Sequence, residues 1–354
     1  MKATSGAHLD FVLRFGIRCL SVSTHAHSVA ATQPSRLPPL VEEDLARVEA
    51  RLDVELGSRE DRLQAIGRHL VQAGGKRIRP TVVLLVFHAA AGGRSLERRD
   101  DAIQAAVALE LIHSATLLHD DIIDGGEIRR GRDSSLRTFG LADTLVAGDF
   151  LFSRAFALCS RFEAEVIRWA ADACVSLTEG EIMQGRFRHN PAVTAADYAE
   201  IIERKTASLF AAGARTAAHL AGAPVDLVQA MAACGRHVGL AFQVSDDLLD
   251  VEGRPTVTGK PRGIDLRDGN PSLPIVLALA RDAELARLFA SRRSTPADVE
   301  AGLTRLRRCG VLGAVAEAAR THVDAALALI GTLPDSPYRA ALLALSQGLV
   351  DRAA

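Results

Sequence analysis

Aromatic residues are scarce: they make up only 4% of the 354 residues, with one tryptophan, Trp169, and two tyrosines. Strands draw heavily on aromatic and β-branched side chains, so this scarcity argues against an all-β fold. Charge of either sign is not in excess, since 42 basic residues face 43 acidic ones and the formal net charge is −1. Nothing in that balance recruits nucleic acid or an anionic membrane, and electrostatics that matter must be local. The five cysteines, Cys19, Cys159, Cys174, Cys234 and Cys309, are odd in number and form no Cys-x-x-Cys pair. They read as small core residues of a reducing compartment, not as a disulfide framework or a zinc site. Apolar runs such as "TVVLLVFHAAAG" fall short of the roughly 20 residues a membrane span needs, so no transmembrane segment is expected.

What the chain does have is helix-forming sequence. Hydrophobic residues reach 48%, and Ala and Leu dominate, which favours helices packed through small and branched aliphatic side chains. Residues 1–40 differ: they are rich in Ser, Thr, Ala and His, and Asp10 is their only acid. They read as a disordered N-terminal extension, with an acid-poor, arginine-bearing transit peptide as the alternative. Beyond them, "PLVEEDLARVEARLDVEL" and "REDRLQAIGRHLVQAGG" repeat apolar residues at three-to-four spacing. A long helix is predicted from Arg98 to Asp124, where "AIQAAVALELIHSATLLHDDIID" holds neither Gly nor Pro. Polar loops, "GGEIRRGRDSS" and "GRPTVTGKPRGIDLRDGNPS", interrupt further helical segments, and three or four shorter helices close the chain. With no linker long enough to divide it, residues 41–354 read as one large all-α domain wrapped around something central.

Two segments concentrate acid among aliphatic residues. "LLHDDIID", residues 117–124, ends one long helix, and "QVSDDLLD", residues 243–250, ends another. On a helix, positions i and i+4 lie nearly above one another, so Asp120 pairs with Asp124 and Asp246 with Asp250, flanked by Asp121 and Asp247. If the helix ends face each other, every like-charged contact at roughly 4 Å costs about 4 kcal/mol at an effective dielectric near 20. Cations are therefore expected. All-oxygen ligation with few protein ligands points to Mg²⁺, which completes its shell with water and substrate phosphate. Clustered cations support phosphate binding independently: Lys76, Arg77 and Arg79 in "GGKRIRP", Arg129 and Arg130 after the first triad, Lys260 and Arg262 after the second.

Taken in order, "GGKRIRP", "ELIHSATLLHDDIID", "RRG", "AGDFLFSRAF", "RKTASLF", "AFQVSDDLLD" and "GKPRGIDLRDG" resemble the trans-polyprenyl diphosphate synthases. The resemblance implies an isoprenoid-synthase helical bundle around a deep cavity, a trinuclear Mg²⁺ cluster and a homodimer. It implies that Asp120, Asp124 and Asp246, with Asp250 beside them, serve the metals, and that Asp121 and Asp247 support catalysis. Lys76, Arg79, His113 and Arg130 correspond to positions that bind isopentenyl diphosphate. Arg129, Lys205 and Lys260 correspond to positions that hold the allylic diphosphate, and Lys205, Thr206 and Gln243 to groups that stabilise the allylic cation.

Chain length has its own reading. The product should pass down beside the helix that carries the first triad, where short-chain members of the family carry an aromatic residue. Ala115 and Thr116 stand there instead, with Leu111, Ala108 and Phe152 or Phe156 as a deeper floor. A product longer than C20 is expected, and a farnesyl- or geranylgeranyl-length synthase is the alternative. Gly125 and Asp133 depart from the family pattern in loops and remove no ligand. A metal phosphohydrolase using His113 and His119–Asp120 leaves the second triad unexplained. A terpene cyclase does not normally carry this second Asp-Asp-x-x-Asp form. A silent subunit of a heteromeric synthase tends to have lost aspartates or arginines, and none is lost here. A cytoplasmic enzyme is expected, mitochondrial if residues 1–40 are a transit peptide.

Overall fold

The computed structural model describes residues 37–92, 97–253 and 262–351; Lys260 and the body of the expected N-terminal extension lie outside them. The first half runs α1 (Pro39–Glu55), α2 (Asp61–Val71), α3 (Ile78–Ala91), α4 (Arg99–Ile123), α5 (Ser135–Phe139), α6 (Leu141–Cys159) and α7 (Ala164–Phe187). The second runs α8 (Ala195–Ile202), a π-helical turn (Glu203–Ala207), α9 (Ser208–Leu220), α10 (Val225–Glu252), α11 (Ile264–Asp268), α12 (Leu273–Leu279), α13 (Ala283–Phe289), α14 (Pro296–Arg308), α15 (Leu312–Ile330) and α16 (Pro337–Asp351). The fold is all-α. Starts follow local chemistry: Thr194 and Thr295 build capping boxes with Asp197 and Asp298, each closing two of the donors a helix N-terminus leaves open.

Two helices carry the architecture. α4 packs most extensively on α6, and α10 packs on α9 and α15. The apolar core falls in two clusters joined by α10, whose Met231, Cys234 and Val238 belong to one while Leu240, Val244 and Leu248 belong to the other. A helix apolar on most of its circumference is a buried helix. α4 is also long and apolar enough to cross a membrane, yet 72% of its most apolar window is buried in the protein, so its composition is that of a core helix.

Three expectations change. The loop "GGEIRRGRDSS" contains a small hairpin, β1 (Ile128–Arg129) paired antiparallel with β2 (Arg132–Asp133). Its two turn residues, Arg130 and Gly131, both have positive φ, the geometry that closes tight hairpins. The segment "AADYAEIIERKTASLFAAGARTAAHLAG", residues 195–222, whose pattern is helical throughout, is interrupted by the π-helical turn. Among the described residues α11 lies inside the second polar loop and five helices follow it, and α15 is 19 residues long; periodicity alone did not separate them.

Candidate active site

α4 delivers the first triad at its C-terminal end. Asp120 and Asp121 lie in the last turn, and Asp124 follows it, its N–H bonded to the Asp120 carbonyl at 2.8 Å. Each carboxylate finds a different cation. Lys205 Nζ lies 3.8 Å from Asp120 Oδ1 and forms an ion pair with Glu181. Arg129 Nε donates to Asp121 Oδ1 at 2.7 Å, and Arg188 pairs with Asp124. Burial is the main cause lifting the Asp120 carboxyl to about 7, and Glu181 and Asp124 add to it while Lys205 and Arg129 oppose it.

A π-helical turn places Lys205. The extra residue in that turn brings Lys205 toward α4 while Thr206 Oγ1 donates to Gln243 Oε1 on α10 at 2.9 Å. π-bulges are uncommon and frequent at functional sites. Gly180 on α7 makes room, since a Cβ there would lie 2.6 Å from the Lys205 backbone nitrogen. Gln243 Nε2 in turn donates to Asp247 Oδ1 at 2.9 Å. One turn of backbone therefore links the first triad to the second.

The second triad is not a mirror of the first. Asp247 is buried and accepts from the Tyr198 hydroxyl at 2.6 Å and from the Leu273 N–H at 2.9 Å. Burial lifts its carboxyl to about 7, and those donors resist the shift. Asp250, expected at the metals, accepts from the Ile264 and Asp265 N–H groups at 3.0 and 3.2 Å and so anchors the start of α11. Asp246 is the exposed member. Six mutually repelling carboxylates in one cavity are therefore not what the fold builds.

The expected phosphate-binding cations converge behind α4. Arg79 lies 4.8 Å over the Phe210 ring, and its Nε is buried without a hydrogen-bond partner. Burial pulls its guanidinium below its ordinary range, while Glu110 and Asp246 resist. Burial, followed by Arg79, Arg130, Arg129 and Arg77, holds His113 well below its ordinary range and therefore neutral. A neutral imidazole ringed by guanidinium groups suits an anion and disfavours a metal. His119, whose Nε2 lies 3.2 Å from the Leu145 carbonyl oxygen, faces α6, so the phosphohydrolase arrangement does not form. Arg77 and Arg130 have left-handed backbones with φ of 46° and 52°; such conformations in non-glycine residues carry strain and gather at binding sites. Lys76 is exposed at the rim.

Down α4 from Asp120 the side chains become small. A small cavity is lined by Ala105, Ala108, Leu109 and Ile112 of α4, Ala170 of α7 and Ala212 of α9, among others. Thr116 continues that stripe toward Asp120, and Ala115 lies at its margin. Leu111 is rotated about 100° from Ile112 on the helix and is fully buried in the core, away from the cavity. Phe156 is 42% exposed, and Phe162 closes the lining instead.

Residues 60–306 match the model of the family described as polyprenyl synthetase. The chain belongs to that family. It is 35% identical to the geranylgeranyl diphosphate synthase of Methanosarcina mazei over 87% of this chain and 95% of that one. It is 32% identical to the octaprenyl diphosphate synthase of Escherichia coli over 90% and 98%. A polyprenyl synthase of Caulobacter crescentus, solved with calcium and isoprenyl diphosphate, superposes with a TM-score of 0.83 at 36% identity, covering 89% of this chain and 96% of that one. This polyprenyl synthetase is accordingly an enzyme of the prenyl transferase class.

Four side chains in the polyprenyl synthetase site were not anticipated from sequence: Glu110, Glu181, Tyr198 and Arg188. Glu110 is buried, accepts from Arg77 Nη1 at 2.9 Å and bears electrostatically on Arg79 and Arg130. Its position within "ELIHSATLLHDD", three residues before His113 on the same helix, was the available signal. The others come from distant elements and carried none.

Proposed function

We propose that this enzyme condenses an allylic diphosphate with isopentenyl diphosphate, using Mg²⁺, and repeats the step to a trans-polyprenyl diphosphate longer than C20. One observation carries the reading: along α4, the carboxylates of the first triad stand beside a cluster of guanidinium groups and above a cavity lined in part by alanines. The donor set fits a hard divalent cation, being all oxygen.

Asp120, Asp124 and Asp246 would hold the metals, three per site by family resemblance. When bound, these ions would stabilise charge on the departing diphosphate. The chain's own groups do the rest. Lys205 binds the allylic diphosphate beside Asp120, with Arg129 and Lys260 assigned the same role by resemblance, and Asp121 fixes Arg129. Arg79, Arg130 and Lys76, with neutral His113 as donor, orient isopentenyl diphosphate. The allylic carbon–oxygen bond breaks, its electron pair leaving with diphosphate. The Thr206 and Gln243 oxygens, held by Asp247, face the resulting cation until the alkene electrons of isopentenyl diphosphate form the new carbon–carbon bond. The proton lost from the adjacent carbon passes to the released diphosphate.

The small residues at 115 and 116 and the cavity below them favour the longer product over geranylgeranyl length. Leu145, Val146 and Phe156 on α6 and Val175 and Ile182 on α7 are exposed apolar side chains, of the kind a homodimer contact would cover. Free Cys159, Cys174, Cys234 and Cys309 favour a reducing compartment such as the cytoplasm. Labelled isopentenyl diphosphate with C10, C15 and C20 primers, with and without Mg²⁺, tests the reading. Products beyond C20 that require the metal are expected, and arrest at C20 or below from farnesyl diphosphate refutes the length. Full turnover by Asp120→Ala refutes the metal assignment.

A further inference from the structure

Arg188 follows α7 and reaches the first triad from outside it. Its guanidinium pairs with the Asp124 carboxylate, donates to the Ile123 carbonyl at 3.3 Å and meets Asn270 Oδ1 at 3.2 Å from Nε and 3.1 Å from Nη2. Its neighbour His189 adopts a left-handed backbone, φ 57°, and donates its N–H to the Gly269 carbonyl at 2.9 Å. The His189 ring lies so close to Gly269 that a Cβ there would fall 2.3 Å from Nδ1, and Nδ1 sits 3.1 Å from the Phe289 carbonyl oxygen. Residues 188 and 189 are thus fastened to the segment that follows the second triad. Only the guanidinium crosses to the first.

We propose that Arg188 is a built-in competitor for the cation site at Asp124, making the first triad take a divalent cation together with an anionic substrate in preference to the cation alone. The proposal rests on the metal reading of Asp120 and Asp124. Asp124 is the more exposed of the pair, with 30% of its side chain accessible against 18% for Asp120. Lys205 already compensates Asp120, so Arg188 supplies the second positive charge at the helix end. The Ile123 carbonyl adds the negative pole of α4, which favours a cation there. A divalent ion arriving alone must overcome the guanidinium charge. An ion arriving with a diphosphate brings oxygens to which the guanidinium can turn, since planar N–H pairs match phosphate geometry. Asn270 and the Ile123 carbonyl keep the group at the mouth during that turn. Metal and diphosphate then favour each other's binding, and by linkage the coupling is reciprocal.

Mn²⁺ titration followed by electron paramagnetic resonance tests this on wild type, Arg188→Gln and Arg188→Lys, each with and without inorganic diphosphate. Without diphosphate, Arg188→Gln should bind Mn²⁺ roughly 1.5- to fivefold more tightly, the range spanned by partly exposed ion pairs. The gain in affinity that diphosphate brings should shrink, and Arg188→Lys should stay near wild type. A Mg²⁺-dependent rise in Tm, larger for Arg188→Gln, is the second readout. Unchanged or weaker binding by Arg188→Gln overturns the proposal, as does an equal gain in Arg188→Lys. Failure of all three proteins to take Mn²⁺ even with diphosphate overturns the metal reading and this proposal together, whereas wild-type binding with diphosphate preserves the first whatever Arg188 does.

Discussion

Depth along α4 should translate directly into product length. Thr116 lies four residues before Asp120 and Ala108 lies twelve before it, so at 1.5 Å per residue they sit about 6 and 18 Å below the carboxylate. Three main-chain bonds span 3.80 Å across a trans peptide, so the four main-chain bonds of an extended isoprene unit span about 5 Å. A phenylalanine at each position should therefore stop growth two to three C5 units apart. Thr116→Phe should give the shortest product, Ala108→Phe one two to three units longer, and wild type a longer one still, because its cavity reaches Ala105 about 22 Å down. Ala108 is 2% exposed, and overfilling such a site costs about 1–3 kcal/mol, which the cavity beside it should reduce. Leu111→Ala is the contrast, since that side chain is buried off the stripe. It should lose about 2–5 kcal/mol of stability and leave product length alone. Reversed-phase chromatography of labelled products from farnesyl diphosphate, with urea midpoints for each variant, reads both quantities. Equal product lengths from Thr116→Phe and Ala108→Phe, or a length change from Leu111→Ala, would refute the route along this face.

Two further outcomes follow from buried charge. Burial lifts the Glu110 carboxyl above its usual range, although Arg77, Arg79 and Arg130 pull it down; Glu110→Gln removes one buried counter-charge from those arginines, leaving Glu49 to Arg77 and Asp246 to Arg79. About 3 kcal/mol of stability should be lost, and KM for isopentenyl diphosphate should rise more than KM for the allylic primer; equal rises would contradict the placement. His322 is buried against His237, its Nδ1 3.1 Å from the other Nδ1, and burial with that neighbour lowers it to about 3. The folded protein keeps this imidazole neutral while the unfolded chain protonates it near 6.5. Stability from this group is therefore complete above pH 6.5 and declines as pH falls toward 3, by up to about 1.4 kcal/mol per unit. His322→Gln should flatten that slope in urea titrations at pH 7, 6 and 5, and parallel slopes would exclude the assignment.

Much of the molecule was legible in the chain. The long helix ending in the first triad was placed within a residue at each end, because an unbroken 3.6-residue pattern and two glycines after it leave little freedom. Asp120 and Asp124 were named because charge among aliphatic residues has few uses, the arginines of "GGKRIRP" because clustered cations suit phosphate, and Lys205 through the family resemblance. The π-helical turn was not legible: its sequence is ordinary helix, and only packing of Gly180 against Lys205 and of Thr206 against Gln243 requires the extra residue. Nor did the matching spacing of the two triads disclose their unequal roles, since Asp247 and Asp250 turn to Tyr198, Leu273 and α11, groups from 14 to 49 residues away along the chain.

The sequence by itself determined the helical class, the position of the acidic motifs and the chemistry they point to, since periodicity and residue type are local properties. Tertiary structure alone decided which carboxylate meets which cation, which face of α4 borders the cavity, and that Arg188 reaches Asp124 from another helix. Those are questions of distance between segments far apart in the chain, and a carboxylate carries no mark of the guanidinium that folding will bring to it.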